Sequence, residues 1–360
     1  MLRRRPIQEN DKKEEDKFAS ATEKKRRSSS IFFKLVVMLL FITYIVIPLS
    51  VYFCPAVRRH AVFLHYVSLS RQKNLSLPEE SGLTCTRNFY VNSGDNVKLG
   101  VWHIPPASAL SRCQNGQIAA SEEFKDNQPV FLYLHGNAGT RGGGHRVQLY
   151  KVISEKLNAH VIAFDYRGYG DSSNVSPSES GLVEDTQHVY EWLLKHVNPS
   201  RIFVWGHSLG TGVGVAFLHR LSSSLPAALI LEAPFTRIID AAKHHPLSII
   251  HRYMPFFDAL IAKPIGDKDT GFDSISRINQ VKCPILILHA EDDGFVPFEH
   301  GKELYEVALK TRKNTHPHNT QFVAFDGKLD FGHKNIYKSP ELPNIIKQFM
   351  NKMQDKKNKV

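Results

Sequence analysis

Residues 201–212 read RIFVWGHSLGTG, and this stretch decides the fold. Ile202, Phe203, Val204 and Trp205 form a short apolar run, the pattern of a buried strand. Gly206-His207-Ser208-Leu209-Gly210 follows at once. Residues 211–221 (TGVGVAFLHRL) then show helical apolar spacing. Strand, G-x-S-x-G, helix is the context of a nucleophile elbow. Gly206 and Gly210 have no Cβ, so strand and helix can approach closely on either side. Ser208 Oγ would project from the top of the sheet, at the positive end of a helix. A bare G-x-S-x-G also occurs as a plain tight turn. The correct flanks favour the nucleophile.

Outward from this turn, strand and helix alternate from residue 129. VFLYL (130–134) precedes a helical stretch near 146–157, and HVIAFDY (160–166) one near 179–196. AALILEA (227–233) follows the elbow helix. PILILHA (284–290) leads to a helix near 299–309, and TQFVAF (320–325) to one from about 341 to 353. Near-continuous apolar strands separated by helices indicate a parallel sheet covered on both faces. Residues 88–91 and 97–104 add a hairpin turning at Ser93-Gly94-Asp95. The fold class is therefore α/β, with a mostly parallel eight-stranded sheet. Residues 106–128 read as a surface loop. Between about 236 and 280 the alternation stops, and HPLSIIHRYMPFFDALIAKPI (245–265) reads as a cap insertion. Ile249, Ile250, Tyr253, Met254, Phe256, Phe257, Leu260 and Ile261 recur at roughly helical spacing. That face either packs on the core or meets lipid.

The chain of 360 residues has room for one large domain plus an appendage. Residues 1–34 are polar and basic, a disordered tail that would lie in the cytoplasm. Residues 35–57 (LVVMLLFITYIVIPLSVYFCPAV) carry no charge. At about 1.5 Å per residue, a helix of that length spans a bilayer core, with a kink expected at Pro48. Lys24, Lys25, Arg26, Arg27 and Lys34 precede the span, and only Arg58 and Arg59 follow it. That asymmetry keeps the tail cytoplasmic and puts the body across the membrane. The sequons Asn74-Leu75-Ser76 and Asn174-Val175-Ser176 fit that placement as glycosylation sites. Residues 58–86 form a connector whose Val62, Phe63, Leu64, Tyr66 and Val67 suit the membrane surface. The catalytic domain covers 87–353, and 354–360 is a basic tail.

The net charge of +11 is partly concentrated in the N-terminal tail. No Lys/Arg cluster alternates with aromatics, so no nucleic-acid surface is read. Four cysteines, Cys54, Cys85, Cys113 and Cys283, contain no C-x-x-C pair. Cys85 and Cys113 can pair, although spacing alone does not establish it. His244-His245 and His316-x-His318 lack a third ligand, so no metal is expected.

A serine hydroxyl needs a base within reach. In this architecture an acid and then a histidine follow the serine along the chain. The acid belongs after strand 284–290, where Glu291, Asp292 and Asp293 compete. Asp293, four residues before Pro297, is preferred and Asp292 is second. The base belongs after the last strand, where His333 follows Gly332. Asp293 would orient the imidazole, and His333 would move the proton of Ser208. The oxyanion of an acyl-transfer intermediate needs two donors. One is the backbone N–H of Leu209. The other lies in His135-Gly136-Asn137-Ala138-Gly139-Thr140, with Asn137 preferred and Ala138 as the alternative. Asp165–Ser172 (DYRGYGDS) reads as a structural loop.

HGNAGTRGG (135–143), FDYRGYGDS (164–172), WGHSLGTGV (205–213), HAEDDGFVPF (289–298) and YKSPELP (337–343) together resemble the α/β-hydrolase-domain proteins of subfamily twelve. These are membrane lysophosphatidylserine lipases, also credited with monoacylglycerol hydrolysis. The resemblance runs from the apolar segment to about Phe349. It implies the α/β-hydrolase fold and the triad Ser208, Asp293 and His333. It further implies a site facing the endoplasmic reticulum lumen, substrate drawn from the membrane, and no cofactor. A broader esterase or thioesterase is the rival among enzymes. A non-catalytic binding protein of the same fold is the rival outside them.

Overall fold

Local sequence patterns become two units in this computed structural model, which describes residues 9–67, 74–94, 96–312 and 320–357. The units are Met1–Phe53 and Cys54–Val360. In the first, helix α1 runs Glu9–Phe41, followed by a π turn at Ile42–Val46 and helix α2 at Ile47–Phe53. The tail expected to be disordered is thus helical from Glu9. Its Glu, Lys and Ala content, all good helix formers, explains the extension. The stretch Lys17–Phe53 is long and apolar enough to cross a membrane. Pro48 does not break it. The proline ring would clash with the carbonyl of Tyr44, and the backbone widens into the π turn at that level. The helix ends at Phe53 and does not run on to residue 57. Cys54 is extended ahead of Pro55, which takes the first position of α3, Pro55–Phe63.

The second unit begins at Cys54, not at residue 87. Its strands are β1 (Arg87–Ser93), β2 (Val97–Ile104), β3 (Val130–Leu134), β4 (His160–Phe164), β5 (Ile202–His207), β6 (Ala228–Glu232), β7 (Ile285–Ala290) and β8 (Thr320–Phe325). The sheet order is β1-β2-β4-β3-β5-β6-β7-β8. Strand β2 runs antiparallel to both neighbours, and the remaining pairs are parallel. Of the hairpin turn, Asp95 lies outside the described residues. The large helices are α4 (Gly144–Lys151), α5 (Glu179–Leu194) and α6 (Leu209–Arg220). After α7 (Ile238–His244), α8 (Lys263–Ile265) and α9 (Ser274–Arg277) come α10 (Phe298–Arg312) and α11 (Leu342–Lys357). Helix α11 therefore extends into the tail expected from residue 354.

Period-two alternation sorts the strands into two buried faces. Phe131, Tyr133, Phe203, Trp205, Ile230, Leu286 and Leu288 pack with Leu149, Ile346 and Phe349 of α4 and α11. The alternate residues Leu132, Leu134, Val204, Leu229, Leu231 and Ile287 are equally inaccessible. Of these, Leu229, Leu134 and Val204 meet α6 at Gly214.

Two apolar surfaces differ from expectation. The connector does not turn all its apolar side chains outward: Val62 and Phe63 are buried in the body, and Tyr66 is exposed. Ion pairs Arg58–Asp267 (3.0 Å) and Arg59–Asp269 (3.2 Å) fix α3 to the insertion. The insertion itself is a series of short helices and turns, not one amphipathic helix. Ile249, Ile250, Tyr253 and Phe256 are exposed, whereas Phe257 and Ile261 are buried. Cys85, just ahead of β1, and Cys113, in the loop before β3, form a disulfide, flanked by Ala109 and Ile118.

The passage from β5 to α6 brings backbone against backbone very closely. A Cβ on Gly210 would lie 2.0 Å from the Leu134 carbonyl oxygen, and one on Gly206 2.4 Å from the Gly210 oxygen. Backbone cannot yield as a flexible side chain can. Gly210→Ala should therefore cost at least ~3 kcal/mol, the upper end of overpacking penalties. Gly144→Ala, which meets nothing within 4 Å at the start of α4, should be neutral or slightly stabilising. Thermal denaturation of the two variants checks the contrast.

Candidate active site

Ser208 occupies the turn between β5 and α6 at φ 52° and ψ −116°, a region that non-glycine residues rarely enter. Its N–H donates to the Glu232 carbonyl (3.0 Å), so β6 holds the turn from one side. The structure brings the serine, the histidine and one acid together. His333 Nε2 lies 2.9 Å from Ser208 Oγ. His333 Nδ1 lies 2.7 Å from Asp293 Oδ2. Gly332 precedes the histidine at φ 51°, so the loop after β8 uses glycine where the backbone is left-handed.

Asp293, rather than Asp292, faces the imidazole. Asp293 Oδ1 accepts the N–H groups of Phe295 and Val296, both at 2.9 Å, which fixes the carboxylate plane. Burial alone would raise its pKa. Hydrogen bonds from His289 and His333 and the charge on His333 outweigh that, and hold it well below the usual carboxylate range. Asp292 instead accepts the Gly332 N–H at 2.8 Å and shapes the loop that carries the base. His289, an apolar-strand histidine with no distinguishing spacing, sits 3.3 Å from Asp293 and was not singled out by sequence.

The glycine-rich loop packs directly on the elbow: a Cβ on Gly136 would be 3.2 Å from Ser208 Cβ. The Ala138 N–H is engaged by Asn137 Oδ1 (2.8 Å), and the Gly139 N–H by the Val67 carbonyl (3.1 Å). Among the described residues, the Asn137 N–H has no such partner. Asn137 Nδ2 donates to the Val62 carbonyl and Tyr169 Oη to the Phe63 carbonyl, so the connector clamps this loop. His207 donates through Nε2 to the His333 carbonyl (2.8 Å). Burial, then the charge of His333 and His145, keeps His207 neutral, with its pKa well below the ordinary value. The loop carrying DYRGYGDS is structural: Asp165 and Asp171 both pair with buried Arg141. Around the mouth, Phe295 is 39% exposed and lies 5.4 Å from the His333 ring.

The sequons differ in setting. Asn74 is exposed, and its Oδ1 accepts from Ser76 Oγ at 2.7 Å; Asn174 is exposed on the loop after β4. Of the histidines set aside for metal binding, His316 and His318 lie outside the described residues.

A family model for the alpha/beta hydrolase fold matches residues 129–248. The lysophosphatidylserine lipase ABHD12 of Danio rerio is 46% identical over 310 residues, covering 85% of this chain and 80% of that protein. Protein ABHD12B of Homo sapiens is 36% identical over 270 residues, covering 74% and 73%. Among solved structures, an esterase of Pyrococcus furiosus superposes with a TM-score of 0.56 at 18% identity, covering 76% of this chain and 93% of that one.

One buried acid beneath the site has no place in the triad. Glu232 ends β6, is 3% exposed, and accepts Trp205 Nε1 at 2.8 Å. Burial raises its pKa to about 7; the Trp205 hydrogen bond opposes this and the charge of Asp293 adds to it. An acid closing an otherwise apolar strand (LILEA) was the available sequence signal. The folded pKa lies above the ordinary 4.5, so stability from the neutral form is complete below pH 4.5 and is lost as pH rises through 7. Glu232→Gln removes that loss. The stability of the variant relative to wild type should rise between pH 4.5 and 7 by up to about 3 kcal/mol and then level off. Melts across that range check it; a pH-independent difference would contradict it.

Proposed function

The chain belongs to the α/β-hydrolase family that includes the ABHD12 lipases, and on that premise we propose that it cleaves the acyl ester of lysophospholipids by a Ser-His-Asp mechanism. It is a serine hydrolase of lipase type. Lysophosphatidylserine is the first substrate class, as in the relatives' printed name, and monoacylglycerol the second. The observation that carries the mechanism is the hydrogen-bonded series Ser208–His333–Asp293 at a strained strand–helix turn.

His333 Nε2 removes the Ser208 proton as Oγ attacks the acyl carbonyl. Asp293 holds the imidazole in the tautomer with Nδ1 protonated and stabilises the imidazolium that forms. The N–H groups of Leu209 and Asn137 receive the oxyanion. His333 then protonates the leaving glycerol oxygen, and water discharges the acyl-enzyme by the same steps in reverse. No step calls for a cofactor. The exposed side chains Ile249, Ile250, Tyr253 and Phe256 suit a substrate that resides in a membrane.

Purified Ser208→Ala and His333→Ala should each lose roughly 10⁵–10⁶-fold in turnover, and Asp293→Asn about 10⁴-fold. Lysophospholipids of several headgroups, monoacylglycerol and a short thioester form the substrate panel. Fluorophosphonate labelling that persists in Ser208→Ala would remove the nucleophile assignment. Preference for the thioester would favour the broader esterase.

We place the protein as a single-pass protein of the endoplasmic reticulum membrane, tail in the cytoplasm and body in the lumen. The charge asymmetry around the apolar helix supports this, as do the exposed sequons and the Cys85–Cys113 disulfide, a bond typical of oxidising compartments. Made in cells, the protein should gain mobility on glycosidase treatment, and Asn74→Gln should remove most of that shift. Protease added to sealed microsomes should digest the tail and spare the body. The opposite pattern reverses the orientation.

A further inference from the structure

Arg146 is a large buried cation beside the site that the reaction scheme leaves without a task. It is 2% exposed, at the start of α4. Arg141, five residues earlier, is equally buried but pairs with Asp165 and Asp171. Among the described residues no carboxylate lies within ion-pair distance of Arg146. Its donors go to main-chain carbonyls instead. Nη1 donates to the Thr140 oxygen (2.6 Å), and Nη2 to those of Gly136 (2.8 Å), Ala138 (2.8 Å) and, more weakly, Asn137 (3.5 Å). Nε is buried without a partner. An unpaired buried guanidinium is costly and calls for a compensating role.

In a trans peptide the N–H points opposite to the carbonyl before it. Drawing the carbonyls of residues 136, 137, 138 and 140 towards one guanidinium therefore sends the N–H groups of residues 137, 138, 139 and 141 the other way. Three of these are already used. Ala138 N–H meets Asn137 Oδ1, Gly139 N–H the Val67 carbonyl, and Arg141 N–H Asp165 Oδ1 (2.6 Å). The N–H of Asn137 is left, beside a glycine pressed against Ser208.

We infer that Arg146 is a positioning residue for the oxyanion site: its guanidinium gathers the loop carbonyls, aims the Asn137 N–H at the reacting carbonyl, and leaves an unneutralised positive charge behind it. The inference rests on the acyl-enzyme reading above. In the resting enzyme that charge faces other cationic or neutral groups: it helps push His145 down to about 3, after burial, and also lowers Lys334. Negative charge next to the Asn137 N–H arrives when the tetrahedral oxyanion forms. The interaction is therefore stronger in the transition state than in the ground state, and acts on turnover more than on binding.

The test uses the full-length chain with a short soluble ester as substrate. A trifluoromethyl ketone, which adds to Ser208 and leaves a charged oxygen, serves as the transition-state mimic. Arg146→Met should lower kcat by about 10²–10³-fold with KM within about threefold. Affinity for the ketone should fall by a similar factor, while affinity for the fatty-acid product stays unchanged. Arg146→Lys, which keeps the charge but not the fork, should recover part of kcat. A purely structural residue would instead lower the affinities for ketone and product together. That result would overturn the inference, as would unchanged kcat in the folded variants or failure of both variants to fold. Failure of the underlying reading looks different: the ketone would then bind wild type and Ser208→Ala equally well.

Discussion

The backbone of Ser208 is held in a conformation that an isolated chain would not choose. Three neighbours impose it: the Glu232 carbonyl that takes its N–H, the Leu134 carbonyl against which Gly210 sits, and the Gly136 backbone at its side. All three sit at or just beyond the carboxyl ends of parallel strands. The parallel sheet is thus a means of bringing β3, β5 and β6 into register so that their ends converge on one side chain. Strain of this kind persists only where the surroundings over-determine it. Two buried faces of apolar side chains supply that rigidity.

The electrostatics around the serine divide the titratable groups by environment. Asp293 is desolvated but receives donors from two histidines and two peptides, so it stays ionised. Glu232, close enough to feel Asp293, receives one indole N–H and is held neutral over much of the acidic range. Neighbouring buried acids whose titrations are driven apart avoid two adjacent negative charges. His207 completes the pattern. It stays neutral and ties the base's main chain to the elbow, so that nucleophile and base move as one piece.

Sequence made the strands, the elbow and the choice of base legible, because they rest on local periodicity and on chain order. Asp293 and Asp292 are adjacent, and their separation depends on which way a turn of three residues rolls. Spacing to Pro297 favoured Asp293, and the contact with His333 distinguishes the two in space. Arg146 was invisible, since a lone arginine at a helix start says nothing about the carbonyls it will meet. The connector was misread for a physical reason. Val62 and Phe63 have the same hydrophobicity whether they face lipid or core, and only the partners Asn137 and Tyr169, far off in sequence, distinguish the two. The tail was misread in the opposite sense. High charge suggested disorder, while the same Lys and Glu residues favour helix wherever an apolar helix follows to extend.

The connector also changes where catalysis begins along the chain. Only Cys54 separates α2 from α3, and the end of α3 supplies the carbonyls of Val62 and Phe63 that hold Asn137 and Tyr169. Val67 holds Gly139. The oxyanion loop is therefore gripped from two sides: by Arg146 through its carbonyls, and by the juxtamembrane segment through the side chain of Asn137 and the N–H of Gly139. A body cut at residue 87 would retain the triad and the sheet but lose the second grip. The ion pairs of Arg58 and Arg59 with Asp267 and Asp269 tie that same segment to the cap insertion. The stretch that joins body to apolar helix is thus part of the active-site scaffold. Oxyanion loop and cap share it as a common support, so a displacement of α3 would reach both.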